Sequence, residues 1–355
     1  VWLKTNETRG SRLEINGNPR HAQGLTVPWF QLHDPCMANV ATDPKPVGLA
    51  LDPIFTKHDP GPGHPEQIAR YTAITERLTE SGLVASSKAI PIREVTDDEL
   101  GFIHDPAYVQ LAIREILEGV STLSTGDTSV CKDSLTVARR AAGTVCNAID
   151  AIFAGEFDRA FCAIRPPGHH ARPAQGMGFC VFNNVAMAAR YAQRKHGVKR
   201  VAIVDWDVHH GNGTQDIFYE DPTVHFFSTH QWPLYPGTGP SKETGDGTGK
   251  GSTMNRPFPA GAGIREIGGA FKDDWAPAMD AFEPELILIS AGFDSRIDDP
   301  LGGFTLTDVD FTILTKFVTK LANKHAKGRV LSCLEGGYNV DGLALATEAH
   351  LRALS

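Results

Sequence analysis

From Val47 onward, short apolar runs alternate with longer stretches whose apolar positions recur every three to four residues. The runs at 47–51, 159–164, 200–204, 223–227, 286–290 and 330–334 are short and rich in β-branched residues, which predicts strands. The amphipathic stretches predict helices over 67–81, 105–118, 132–154, 184–195, 268–281, 308–325 and 340–354. Strands that are apolar throughout need cover on both faces. The pattern therefore predicts an α/β fold, a mainly parallel central sheet flanked by helices on both faces. Residues 236–263 are dense in Gly and Pro and are predicted to form one long surface loop. Residues 1–46 show no period and are expected to be an N-terminal extension or cap on the main domain, 47–355.

Composition changes this picture little. The 355 residues are 41% hydrophobic and 21% charged, ordinary values for a globular chain. The net charge of −8 and the lack of a basic run speak against nucleic-acid binding. No apolar stretch is long enough to span a membrane. The six cysteines are scattered without a CxxC pair, which points to the cytoplasm or another reducing compartment rather than a disulfide framework.

The polar residues matter more, because they cluster where the apolar runs end. Arg165–His170 follows the run at 159–164, and Asp205–His210 the run at 200–204. Ser228-Thr229-His230, Gly292-Phe293-Asp294 and Glu335-Gly336-Gly337-Tyr338 follow three others. In open α/β sheets, ligands bind beyond the carboxyl ends of the strands, so these clusters are expected to converge. Residues two apart in an extended segment point the same way, so Asp207 and His209 could share a metal, with Asp294 as a third ligand. His169 and His170 offer a base for a metal-activated water and an acid for a leaving amine. Asp205 is a candidate orienter of one of them. Tyr338, after two glycines, could donate to a developing oxyanion. Phe179 and Tyr235 could wall a narrow slot.

RPPGHHA at 165–171, GFCVFNNVA at 178–186, DWDVHHGNGTQ at 205–215, SAGFDSR at 290–296, DPLGG at 299–303 and LEGGYN at 334–339 resemble the zinc-dependent histone deacetylase superfamily, which includes the acetylpolyamine amidohydrolases. HDPGPGHPE at 58–66, Asn212 and the DPLGG stretch look most like its class II branch. The resemblance covers roughly 47–355 and implies the arginase–deacetylase fold. It implies zinc on Asp207, His209 and Asp294, His170 as principal acid–base, His169 paired with Asp205, and Tyr338 polarising the amide carbonyl. It also implies structural potassium at Asp205, Asp207, His209, Ser228 and Thr229, with a second site at Phe218, Asp221 and Val224. Gly178, Phe179, Tyr235 and Leu301 would line the acyl-lysine channel, with Asp127 on its rim. Expected ligands are acylated lysine peptides or proteins, small acylated amines and hydroxamate-type inhibitors.

Three other readings compete. An acetylpolyamine deacetylase would want a carboxylate at the channel mouth, and Leu301 stands where some polyamine-selective relatives carry Glu. An arginase-like dimanganese enzyme would want a second Asp where Gly211 stands. A non-catalytic acyl-lysine binding module would lack a ligand, the base or the tyrosine, and all are present here.

Overall fold

The computed structural model describes residues 45–355. The extension expected over 1–46 lies outside the described residues except for Lys45 and Pro46.

Eight strands form one sheet among the described residues: β1 (Gly48–Ala50), β2 (Lys88–Ala89), β3 (Arg159–Cys162), β4 (Val201–Asp205), β5 (Val224–Gln231), β6 (Thr253–Phe258), β7 (Leu286–Ala291) and β8 (Val330–Leu334). Their order is β2-β1-β3-β8-β7-β4-β5-β6, and every pairing is parallel. A parallel pair needs a crossover, and helices supply it and cover the sheet faces. The central strands β4, β7 and β8 are buried at every residue, as their unbroken apolar runs require.

The longer helices fall close to their predicted spans: Ile68–Glu80, Pro106–Glu118, Ser134–Phe153, Asn184–His196, Asp308–His325 and Val340–Leu354. Several start on a side-chain cap that also ends a polar cluster. Asn183 Oδ1 accepts from the Ala186 N–H at 3.0 Å, and Asn339 Oδ1 from the Gly342 N–H at 3.0 Å. The helix predicted over 268–281 starts earlier. It runs as Ile264–Gly269, a π-helical turn at Ala270–Trp275, and Ala276–Phe282. Pro277 has no N–H to return to the preceding turn.

Two expectations are corrected. The predicted loop 236–263 contains β6, an edge strand whose Arg256 and Pro257 disguise it; an edge tolerates proline because one side of the ladder is unpaired. Pairing with β6 also extends β5 to Gln231, so Ser228-Thr229-His230 lies within a strand rather than after one. A short helix at Asn212–Phe218 was not foreseen, since Asn212-Gly213-Thr214 is a poor helix-forming start.

Candidate active site

Four adjacent strands, β3, β8, β7 and β4, deliver the polar clusters to one end of the sheet. Beyond β4 the chain turns so that His209 Nδ1 sits 3.0 Å from Asp207 Oδ1 and 3.1 Å from Asp294 Oδ2. These ligand atoms all lie within 4.8 Å of one another, and the three residues are buried. The other carboxylate oxygens are held from behind: Asp207 Oδ2 accepts the Gly336 N–H at 2.8 Å, and Asp294 Oδ1 the Val208 N–H at 2.8 Å. Two glycines make this approach possible. A Cβ at Gly292 would fall on the Asp207 side chain, and one at Gly336 on the carboxylates of Asp294 and Asp207.

The electrostatics describe a centre short of positive charge. Burial, with the Asp207 charge beside it, pushes Asp294 up to about 7. Burial opposes protonation of His209, but the two carboxylates outweigh it and raise its pKa to about 10. Two buried carboxylates and one imidazole turned on a common point are a donor set that fits a divalent cation, zinc included.

The histidine pair stands beside this centre with unequal partners. His169 Nδ1 lies 2.9 Å from Asp205 Oδ2, and His170 Nδ1 lies 2.8 Å from Asn212 Oδ1. Burial works against a charge on either ring. For His169 the surrounding carboxylates Asp207, Asp205 and Glu335 win, and its pKa rises well above the ordinary value. For His170 burial wins, reinforced by His169 and His209, and its pKa falls well below it. The Asn212 amide oxygen accepts a proton on His170 Nδ1, which leaves Nε2 as the lone-pair nitrogen. Gly178, at φ +56°, lets the backbone pass against the His170 ring.

Tyr338 follows Gly337, which holds φ +125°. Its ring packs edge-on to Phe179 at 6.0 Å, and the Arg70 guanidinium lies 5.0 Å from its centroid. A cavity of about 280 Å³ joins these groups. It is lined by His170, His209 and Tyr338 at its inner end and by Gly178, Phe179, Tyr235, Leu301, Asp127 and the unforeseen Leu234 along its length. Asp127 Oδ1 accepts from the Gly178 N–H at 2.7 Å and the Tyr235 hydroxyl at 3.3 Å, tying two wall segments to the rim. Phe179 itself is in the left-handed region, at φ +67°.

Comparison with known proteins decides what this arrangement belongs to. The family model described as the histone deacetylase domain matches residues 64–354. The chain belongs to the histone deacetylase family. It is 39% identical over 306 residues to the chloroplastic histone deacetylase 10 of Oryza sativa, covering 82% of this chain and 69% of that one. It is 38% identical over 298 residues to a probable deacetylase of Archaeoglobus fulgidus, covering 83% and 82%. It is 40% identical over 292 residues to the polyamine deacetylase HDAC10 of Homo sapiens, covering 79% of this chain and 43% of that one. A crystal structure of the HDA15 HD domain matches with TM-score 0.82 at 35% identity, covering 87% and 88%. The all-parallel sheet is thus the arginase–deacetylase fold of the histone deacetylases.

Within this histone deacetylase domain, the residues expected around potassium also come together in part. Asp205 pairs with Ser228 across β4 and β5. Thr229 alternates to the opposite face, and its buried hydroxyl has no partner, so only its backbone can face the Asp205 side. In the second group, the Asp221 N–H donates to Phe218 O at 3.0 Å and the Val224 N–H to Asp221 O at 3.5 Å. The Asp221 carboxylate is taken by Arg190 at 2.6 Å and Thr223, and its carbonyl accepts only the long bond from Val224. A more open cavity, about 780 Å³, lies between Arg172–Gln175 and Asp216–Asp221, away from the metal cluster.

Sequence reasoning assigned no role to three site-supporting residues. Glu335 Oε2 accepts the N–H groups of Gly168 at 2.6 Å and His169 at 3.1 Å, bracing the histidine loop from below. Arg70 donates to the carbonyls of Gly337 at 2.6 Å and Glu335 at 2.5 Å, and is itself paired with Glu66 at 2.8 Å. Asp299 is the third. Glu335 and Asp299 sit inside the motifs LEGGYN and DPLGG, which was the available signal.

Proposed function

We propose that the chain is a zinc-dependent hydrolase that removes acetyl groups from lysine side chains. The observation that carries this reading is that the Asp207–His209–Asp294 cluster meets, through His209, a mainly apolar cavity that His170 and Tyr338 also line. When bound, zinc would act as a Lewis acid on the amide carbonyl and make water a stronger nucleophile at neutral pH. The apolar walls formed by Phe179, Tyr235 and Leu301 suit the linear stem of lysine. His170 Nε2, kept neutral by its surroundings, takes the water proton and later gives it to the departing amine. His169, held charged by the carboxylates of Asp207, Asp205 and Glu335 and oriented by Asp205, supplies fixed positive charge beside that transfer. The Tyr338 hydroxyl donates to the carbonyl oxygen as negative charge grows there.

The site also supports potassium held by the Asp205, Asp207, His209, Ser228 and Thr229 segment and by Phe218, Asp221 and Val224, and binding of hydroxamates at the metal end. Residues 47–355 are the catalytic domain in this reading, and 1–46 an extension of it. No helix among the described residues is long and apolar enough to cross a membrane. The described cysteines are all unpaired, which supports a reducing compartment.

A second reading, hydrolysis of acetylated polyamines, is favoured by the 40% identity to a protein named polyamine deacetylase. Leu301 on the wall argues against it, since the carboxylate that does line this cavity, Asp127, is already engaged by the Gly178 N–H and the Tyr235 hydroxyl. The test is a side-by-side rate panel of acetyl-lysine peptides, longer acyl-lysines and acetylpolyamines with zinc-loaded protein. Higher kcat/KM on acetyl-lysine peptides is expected; preference for acetylpolyamines selects the second reading, and no turnover on any of them at stoichiometric zinc removes both.

A further inference from the structure

One buried carboxylate near the channel belongs neither to the metal cluster nor to the histidine pair. Asp299 is 7% exposed. Its Oδ1 accepts the Leu301 N–H at 2.9 Å. Its Oδ2 accepts the Tyr338 N–H at 2.7 Å and the Asn339 N–H at 3.1 Å. All three are backbone donors in loops, which a missing partner would leave unsatisfied. Leu301 is a wall of the channel, and Tyr338 lines its inner end. A single carboxylate therefore fastens the wall loop to the loop that presents the hydroxyl.

Two neighbouring features serve the same join. The Asn339 side-chain amide donates to the Asp298 carbonyl at 3.1 Å, a second link between the two loops. Asp298 holds φ +66°, a conformation a non-glycine residue adopts at a cost, and this backbone turn precedes Asp299 directly. On the other side, Asn339 caps the helix Val340–Leu354, so the Tyr338 backbone is pinned between Asp299 and a rigid helix end. Tyr338 has one long lever from its backbone to its hydroxyl, so a small backbone rotation moves the oxygen far.

We infer that Asp299 is a positioning residue for deacetylation, fixing the Tyr338 hydroxyl against the channel wall at Leu301; this rests on the deacetylase reading above. Asparagine at 299 keeps the shape but can turn an NH₂ group, rather than an acceptor, toward the loop N–H groups. The Tyr338 hydroxyl would then drift, and a displacement of about 1 Å in a reacting geometry costs on the order of 10²-fold.

The experiment is a double-mutant cycle on an acetyl-lysine peptide: the parent, Asp299→Asn, Tyr338→Phe and the pair, each with zinc content and melting temperature measured. The expected result is a kcat loss of roughly 10- to 100-fold for Asp299→Asn, a much smaller KM change, and almost no further loss when Tyr338→Phe is already present. An equal loss in both backgrounds would overturn the inference, because the residue would then act on something other than Tyr338. So would unchanged turnover in Asp299→Asn. Should Asp299→Asn not fold, Asp299→Ala, in which water can replace the carboxylate, is read through the same cycle. A parent that binds zinc but shows no turnover overturns the deacetylase reading and this inference together; an active parent with an additive cycle overturns this inference alone.

Discussion

In the proposed mechanism, Tyr338 and His170 have separable tasks at the level of single side chains. Tyr338→Phe deletes one hydroxyl donor and leaves Asp207, His209 and Asp294 untouched. Its kcat is expected to fall about 10²- to 10³-fold with zinc content unchanged, measured by steady-state rates alongside metal analysis; zinc loss would contradict the role. His170→Ala is expected to reduce kcat more than His169→Ala, since His170 holds the lone-pair nitrogen while His169 is committed to Asp205. Equal activity to the parent in both variants would remove the acid–base assignment. Such residues were legible as candidates because polar clusters at the ends of apolar runs have few structural uses, while the separate roles of the two histidines came only from the family resemblance. Asp299 and Glu335 were not, because they work by catching backbone N–H groups 39 and 167 positions away in sequence, and nothing in a linear pattern marks that pairing.

Among the elements, the short helix Asn212–Phe218 carries more than its length suggests. Its first residue holds His170, and its second, Gly213, packs so closely on Ala171 that a Cβ would collide with the Ala171 carbonyl. Gly213→Ala is therefore expected to push this helix off the histidine loop. The predicted readout is a fall in kcat of at least about tenfold, beyond what a modest drop in melting temperature accounts for; unchanged kcat would show that the loop tolerates the shift. The strands of the sheet centre were plain from their apolar runs, and the long helices from their period. Edge strand β6 escaped notice because one side of an edge sees solvent, so its sequence need not be apolar. The true end of β5 escaped with it, being set by that partner.

The whole molecule links two conditions to stability. His104, His225 and His350 are buried and neutral, with burial lowering their pKa values to about 4, 4 and 3. In the unfolded chain each would protonate near pH 6.5. Their contribution is complete above that value and is lost as the pH falls from about 6.5 toward 4, by roughly 2 kcal/mol each at pH 5. Protonation of His104 would also break its acceptance of the Asn183 N–H at 3.0 Å, next to a helix start. A melting temperature that stays flat from pH 7 to pH 5 would refute this. Removing the metal exposes the second dependence, since two carboxylates remain buried against one imidazole. A strong chelator is expected to lower the melting temperature and excess zinc to restore it, with about 2.7 kcal/mol at a hundredfold excess over Kd; thermal scans with and without chelator measure it. The fold class and the gathering of the polar clusters at one end of the sheet were legible because an α/β domain repeats one simple pattern, whereas the strand order, which decides which clusters become neighbours, is not contained in that pattern.

The channel wall at Gly178-Phe179 bears on how this domain can be redesigned. Both residues sit in left-handed backbone, at φ +56° and +67°. The permissible alphabet at 179 is thus set by the main chain as much as by the apolar lining. In a saturation library aimed at wider acyl tolerance, Gly and Asn should survive folding at 179, whereas Val, Ile and Thr should be depleted despite matching the lining in character. Directed evolution of substrate range would then advance through Leu234 and Leu301, whose backbones lie outside the left-handed region.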